Sequence, residues 1–524
     1  MSTILVFKRN LVDLFGQCSQ QQQSESWGTL ANILMKIILN IIFLFLTLIS
    51  SGQSLFDKNS VSNKTKKVVE KIAKINELMD SAVYGSGIRP KQWDNFEELE
   101  KIATKKELIE LTNHPNGVVR CYSFWALTKR KDINLFSFVK EHLTDDELIN
   151  TQFGCIGGQE MVGDFYIQLI SSDENDLETE TLNKSEFKEL DSLLIYKPNK
   201  LSSRFYAILR TEPTEMLYPK VKELVVNENN PSALITLAKY QKNQDIEIIK
   251  NFKDITEDEE DGYIYTYRAI SEFPRLEFLP LLEENLKKTL NKTHFSNEWR
   301  ELYRTIASYK NIKALELLKT PFTEVQHHNI KKYHIGFVFQ AISEFNDPIY
   351  DELLWKIWEE EKYKTIGLKF YKYLLNQNPS KAYELTKREF IDDYQIQNSD
   401  FTPNLNNIEN SEGYYDYLLN VIKANDKEFY TYIINQKIEH ENVNALPLFT
   451  SKVNKQKIFI KSLFNRIEKE SNPHVYLNII KTLIEFKDDK INKEILEVRK
   501  RNKSMNENWG GKALDELLEE NNIK

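Results

Sequence analysis

Tyr267–Leu286 reads YRAISEFPRLEFLPLLEENL, and its pattern returns thirty-six residues later in Tyr303–Phe322, YRTIASYKNIKALELLKTPF. Another thirty-six residues on, Phe339–Trp358 reads FQAISEFNDPIYDELLWKIW. Superposed, the three stretches put Tyr267, Tyr303 and Phe339 in one column, Ile270, Ile306 and Ile342 in a second, and Phe273, Tyr309 and Phe345 in a third. Offsets of three mark one face of an α-helix. Ala269, Thr305 and Ala341 supply small residues where two helices approach closely. After a short break each stretch enters a second apolar-periodic run, with Leu279, Leu282 and Leu286 in the first and Leu315 and Leu318 in the next. The unit is helix–turn–helix, and neither helix buries its apolar face without a neighbouring copy.

Weaker copies lie on both sides. Leu237–Tyr240 precedes the trio, and KTLIEFKDDKINKEIL from Lys481 echoes AISEFNDPIYDELL. Near the front, His114–Leu127 reads HPNGVVRCYSFWAL. Val119-Arg120 followed by Ala126-Leu127 resembles the HEAT-repeat (armadillo-like) family, whose helices often open with an acidic cap, then a Val-Arg pair, then Ala and Leu at helical spacing. Asn116 stands where that family prefers Asp, and Asn also caps helices well. Asn230-Pro231 and Asn472-Pro473 open later helices in the same way, with proline tolerated in the first turn. Later blocks lack the Val-Arg pair. The resemblance implies an all-α fold, an α-α superhelix of helix–turn–helix repeats, and little about activity, because such solenoids host scaffolds, adaptors and a few enzymes. The expected organisation is an N-terminal address over 1–54, a helical cap over 55–100, the repeat array over 101–500 and a helical tail over 501–524.

Composition agrees with a folded helical chain. Only 16 glycines and 14 prolines occur in 524 residues, too few for a turn-rich β architecture, while 41% hydrophobic and 28% charged residues exclude a disordered chain. The formal net charge is −8. An acidic chain without a dense Lys/Arg stripe is poorly suited to phosphate backbones, so no nucleic-acid partner is expected.

The one long apolar run lies between Leu30 and Ser50. From Met35 it reads MKIILNIIFLFLTLISSGQS, a short basic start, an apolar core and then small and polar residues, with Gly52 and Ser54 in the −3 and −1 places of a cleavage site. This pattern predicts export, with Met35 as the true start. The alternative is an uncleaved membrane anchor over 30–50. Either way the body lies outside the cytoplasm and meets a membrane only through this segment.

Motifs for chemistry are sparse. The glycine cluster Gly154, Gly157, Gly158 and Gly163 lacks the Gly-Lys-Ser/Thr of a phosphate loop and reads as a corner or a tight helix approach, with Glu160 and Asp164 beside it as the best place for an unrecognised pocket. His327, His328 and His334 lack a zinc-binding spacing, as do Cys18, Cys121 and Cys155. The acidic runs Asp173–Glu180 and Glu257–Asp261 lack a calcium loop's central glycine and read as solvated loops. No cofactor is implied. Arg268, Arg304 and Gln340 occupy equivalent places in successive repeats and form a candidate recognition stripe, against the plainer reading of Arg268 as an ion pair with Glu272 on the same helix. The expected function is non-enzymatic binding of a protein or extended polymer at the cell envelope. The alternative is an enzyme whose site is scattered over repeats near Gly154–Asp164.

Overall fold

In HPNGVVRCYSFWAL, Asn116 ends an extended approach and accepts the amide of Val119 at 3.0 Å, so the helix starts at the next residue. All twelve residues from Gly117 to Thr128 are buried, which makes this helix the centre of its unit rather than a surface element. The computed structural model describes residues 56–171, 182–254, 261–325, 327–360, 366–391 and 411–524. The chain divides into two units, Met1–Thr214 and Glu215–Lys524. It is all-α apart from one small sheet, with 26 α-helices among the described residues. No helix among those residues is long and apolar enough to cross a membrane. The proposed address over 1–54, Cys18, the run Asp173–Glu180 and most of Glu257–Asp261 lie outside the described residues.

The first unit contains α1 (Asn63–Ile75), β1 (Glu77–Val83), α2 (Lys91–Ile102), α3 (Lys105–Leu111), α4 (Gly117–Thr128) and α5 (Leu135–Glu141). These are followed by β2 (Leu148–Gly154), β3 (Ile156–Met161), α6 (Val162–Ser171), α7 (Lys184–Tyr196) and α8 (Ser202–Arg210). The sheet order is β1-β2-β3, parallel between β1 and β2 and antiparallel between β2 and β3. β1 therefore lies in the stretch read as a helical cap. Of the glycine cluster, Gly154, Gly157 and Gly158 are corrected from a flexible corner to a β-hairpin, whereas Gly163 lies in α6 at a tight approach to His142 and Leu201. Helix α4 packs against α1, α2, α3, α6 and strands β1 and β2. The Tyr122 hydroxyl donates to Met79 O and accepts from Met79 N, each at 2.8 Å, which pins β1 to α4.

The second unit opens with α9 (Tyr218–Glu228), α10 (Pro231–Lys239), α11 (Ile246–Asn251), α12 (Ile264–Glu272), α13 (Leu279–Thr289) and α14 (Asn297–Ser308). It continues with α15 (Ile312–Glu324), α16 (His328–Phe345), α17 (Asp351–Glu360), α18 (Gly367–Gln377), α19 (Pro379–Ile391) and α20 (Ser411–Asn425). It closes with α21 (Lys427–His440), α22 (Leu446–Thr450), α23 (Ile460–Ile467), α24 (Pro473–Ile484), α25 (Asp489–Arg501) and α26 (Asn508–Glu520). Helices α10, α12, α14 and α16 pack one on the next, and each also packs against the helix that follows or precedes it in sequence. On α14 the residues Trp299, Leu302, Tyr303 and Ile306 form one buried stripe at helical spacing. The Tyr267 and Ile270 columns are buried in all three copies. Polar ties add to the apolar contact. Thr305 Oγ1 donates to Tyr267 O at 2.8 Å, and the Tyr350 hydroxyl donates to Ala307 O at 2.7 Å.

Candidate functional site

The hairpin turns on Gly154 and Cys155, with Phe153 paired to Ile156, and Gly154 at φ +56° takes the left-handed conformation a two-residue turn requires. Because side chains alternate along a strand, Ile149, Thr151 and Phe153 of β2 share a face with Ile156, Gly158 and Glu160 of β3. That face looks onto Trp125 of α4 and Phe165 of α6, and together they enclose a cleft of about 550 Å³. Leu148, Met161 and Leu169 complete its apolar lining, and Thr151, Gln168 and Ser202 add polar edges. Gly158 leaves its part of the wall bare; the nearest atom to an added Cβ would be Thr151 Oγ1 at 3.7 Å.

Glu160 and Asp164 both line this cleft, and among the described residues they are its only ionisable side chains. Their situations differ. Helix α8 starts after Leu201, which has no capping side chain. Asp164 does the capping from α6 instead, with its two oxygens accepting Ser202 N and Ser203 N at 2.8 Å each. The approach depends on Gly163, where a Cβ would fall 2.6 Å from His142 O and 2.9 Å from the Leu201 methyls. Glu160 is half-buried, and its side chain has neither a hydrogen bond nor an ion pair among the described residues. Burial, reinforced by the negative charge of Asp164, pushes its carboxyl up to about 7. The indole Nε1 of Trp125, a side chain only 3% exposed, also lacks a hydrogen-bond partner.

Helix α4, which gives Trp125 to the cleft, also carries a polar network that the sequence did not foretell. Arg120, half of the Val-Arg pair, holds both oxygens of Asp145 at 2.9 Å, Glu147 at 2.6 Å and His114 O at 2.8 Å. His142 Nδ1 lies 3.0 Å from the same Asp145. The guanidinium thus ties α4 to the chain that leads into β2. The Val-Arg pair at the start of a helix, with Asp145 and Glu147 some 25 positions on, was the available signal.

The other singled-out residues lie elsewhere. Arg268 does not pair with Glu272; its Nε and Nη2 reach Glu301 of α14 at 3.0 and 2.9 Å. Arg304 grips both oxygens of Glu344 on α16 at 2.7–2.9 Å. Two members of the column therefore join one repeat helix to the next, while Gln340 occupies the equivalent half-buried place on α16. His334 is buried, stacks on Trp299 at 4.3 Å and shares a 2.7 Å hydrogen bond with the Tyr303 hydroxyl. Its burial pulls it down to about 4. His327 is exposed at the start of α16. Cys121 is buried and Cys155 exposed, and both are free thiols. Among the described residues no group of His, Cys, Asp and Glu is placed to hold a metal ion.

The cleft can hold a ligand and present one carboxyl to it. No protein-family model, curated protein or solved structure matches the chain.

Proposed function

We propose that this is an exported helical-repeat protein of the HEAT or armadillo-like solenoid kind, which binds a protein or polymer partner at the cell envelope without transforming it. The cleft of the first unit is its binding site. Stacking of every second helix in the second unit, with buried residues in register, supports the solenoid reading. The export reading rests on the apolar run after Met35. One observation carries the binding reading. Of the two carboxyls that line the cleft among the described residues, Asp164 has both oxygens engaged by backbone amides, which leaves Glu160 without a second free acid or base to work with.

The test is capture from an envelope fraction with the wild-type chain and with Gly158→Phe, which fills the cleft from its bare wall. The expected result is a partner held by the wild type and lost from an equally stable variant. Equal capture by both would overturn the cleft as the site. A second reading, an enzyme using Glu160 as general acid or base, draws on the carboxyl held near 7. It requires chemical change in the captured partner, abolished in Glu160→Gln.

A further inference from the structure

Among the described residues strand β3 is an edge, paired to β2 alone and exposed from Ile156 through Gln159. Its ladder can be phased. Val162 N donates to Glu147 O at 3.1 Å, and the Phe153–Ile156 pair flanks the two-residue turn. In an antiparallel pair hydrogen-bonded positions alternate, so Ile156, Gly158 and Glu160 turn their backbone groups toward β2. Gly157, Gln159 and Met161 turn theirs outward. IGGQEM guards that edge only with one inward-facing charge, Glu160: it has no lysine, no proline and no bulge, and two adjacent glycines leave the backbone bare. Two large apolar side chains, Ile156 at 73% and Leu148 at 56%, stand exposed on the same hairpin. The face that carries Ile156, Gly158 and Glu160 borders the cleft.

We propose that β3 takes an extended peptide from a partner protein as an added strand, with a lysine or arginine of that peptide entering the cleft to pair with Glu160. This rests on the cleft being the binding site. Strand addition supplies affinity through the ladder and selects through alternate side chains. Ile156 and Glu160 are four residues apart on one face, with bare Gly158 between them. The matching segment therefore places an apolar residue opposite Ile156 and a basic residue opposite Glu160, four positions apart. Charge decides between occupants. A second copy pairing through its own β3 would bring a further acidic segment to a cleft that, among the described residues, is already lined by two carboxyls and no cation, whereas a basic side chain relieves that imbalance. The ion pair also restores to Glu160 the stabilisation of its charge that burial removes.

The experiment is titration calorimetry of the full chain with the acetylated, amidated peptide TVTTTKT, in which Val and Lys are four apart. Its controls are TVTTTET and a TVTTTKT methylated on alternate backbone nitrogens. Saturable binding of the lysine peptide is expected, weakened at least tenfold by the Lys-to-Glu exchange, by N-methylation on the ladder side and by Glu160→Gln. Gln159→Pro removes one outward N–H and is expected to weaken binding by a similar factor, its fold checked by thermal unfolding. The N-methylated peptide tests the ladder without altering the protein. Equal affinity for the lysine and glutamate peptides would overturn the proposal, as would indifference to N-methylation. Self-association in sedimentation velocity, abolished by Gln159→Pro and without peptide binding, would overturn it in favour of a second copy. Cleft-dependent partner capture with no peptide binding would sink this inference and leave the binding reading standing; loss of both would sink the two together.

Discussion

Arg120 and Glu160 are both withdrawn from water, with opposite results. Arg120 is 7% exposed and fully engaged by Asp145, Glu147 and a backbone carbonyl. Removing one side of a buried pair strands the other charge, so Arg120→Ala is expected to destabilise the chain by about 3–5 kcal/mol, read from denaturant unfolding. A loss below about 1 kcal/mol would mean that Asp145 is solvated. Glu160 is withdrawn without a partner. A free glutamate titrates at 4.5, whereas here the group lies near 7. Between those values the folded chain keeps a proton that the unfolded chain has lost. Stability therefore falls as pH rises from 4.5 to 7, and the deficit is complete above that window. Its size is at most about 3 kcal/mol. The check is the difference in unfolding free energy between wild type and Glu160→Gln across pH 4–8. A difference independent of pH would place the carboxyl in water. Comparing with the variant is necessary because Glu107, held down to about 2 although burial opposes it, by amides of Thr104 and Ser62, contributes stability that begins to be lost at the acid end of that range, as pH falls from 4.5 through about 2.

Between elements, the repeat helices are joined by apolar columns first and by ion pairs second. Ile306 is fully buried in α14, between α12 and α16. Ile306→Asp places an unpaired carboxylate there and is expected to cost about 3–5 kcal/mol, visible as a large drop in melting temperature. Unchanged melting would mean that the repeat register is wrong. The Arg304–Glu344 bridge between α14 and α16 is a different case, because its side chains remain 35% and 46% exposed. A double-mutant cycle with Arg304→Ala and Glu344→Ala is expected to give a coupling below about 1 kcal/mol. A coupling of several kcal/mol would make these arginines principal supports of the stack. The periodicity in YRAISEFPRLEFL made these helices legible, because it is written in residues three and four apart. The partners of Arg268 and Arg304 were not legible. They lie 33 and 40 residues away, and only the stacking of the helices selects Glu301 over Glu272.

For the whole molecule, the export reading leads to a prediction about the mature chain. If Met35 opens a cleaved signal peptide, N-terminal sequencing of native protein is expected to begin near Leu55; a chain beginning at Met1 and released only by detergent would favour the anchor. By itself the sequence determined the helical class, the repeat period, the buried columns and the caps at Asn116, Asn230 and Asn472, because each depends on neighbours within one or two helical turns. It marked Glu160 and Asp164 as the place for a pocket without separating them. Tertiary structure decided the rest. The parallel pairing of β1 with β2 joins segments about seventy residues apart, and the alternation of Ile149, Thr151 and Phe153 was too short to reveal it. Asp164 became a helix cap because Ser202 and Ser203 arrive from 38 and 39 residues further on. Glu160 became an unpaired half-buried carboxyl because Trp125 and Phe165 enclose its side of the hairpin without bringing a cation. Desolvation depends on everything that surrounds a group, and most of what surrounds Glu160 is distant in sequence.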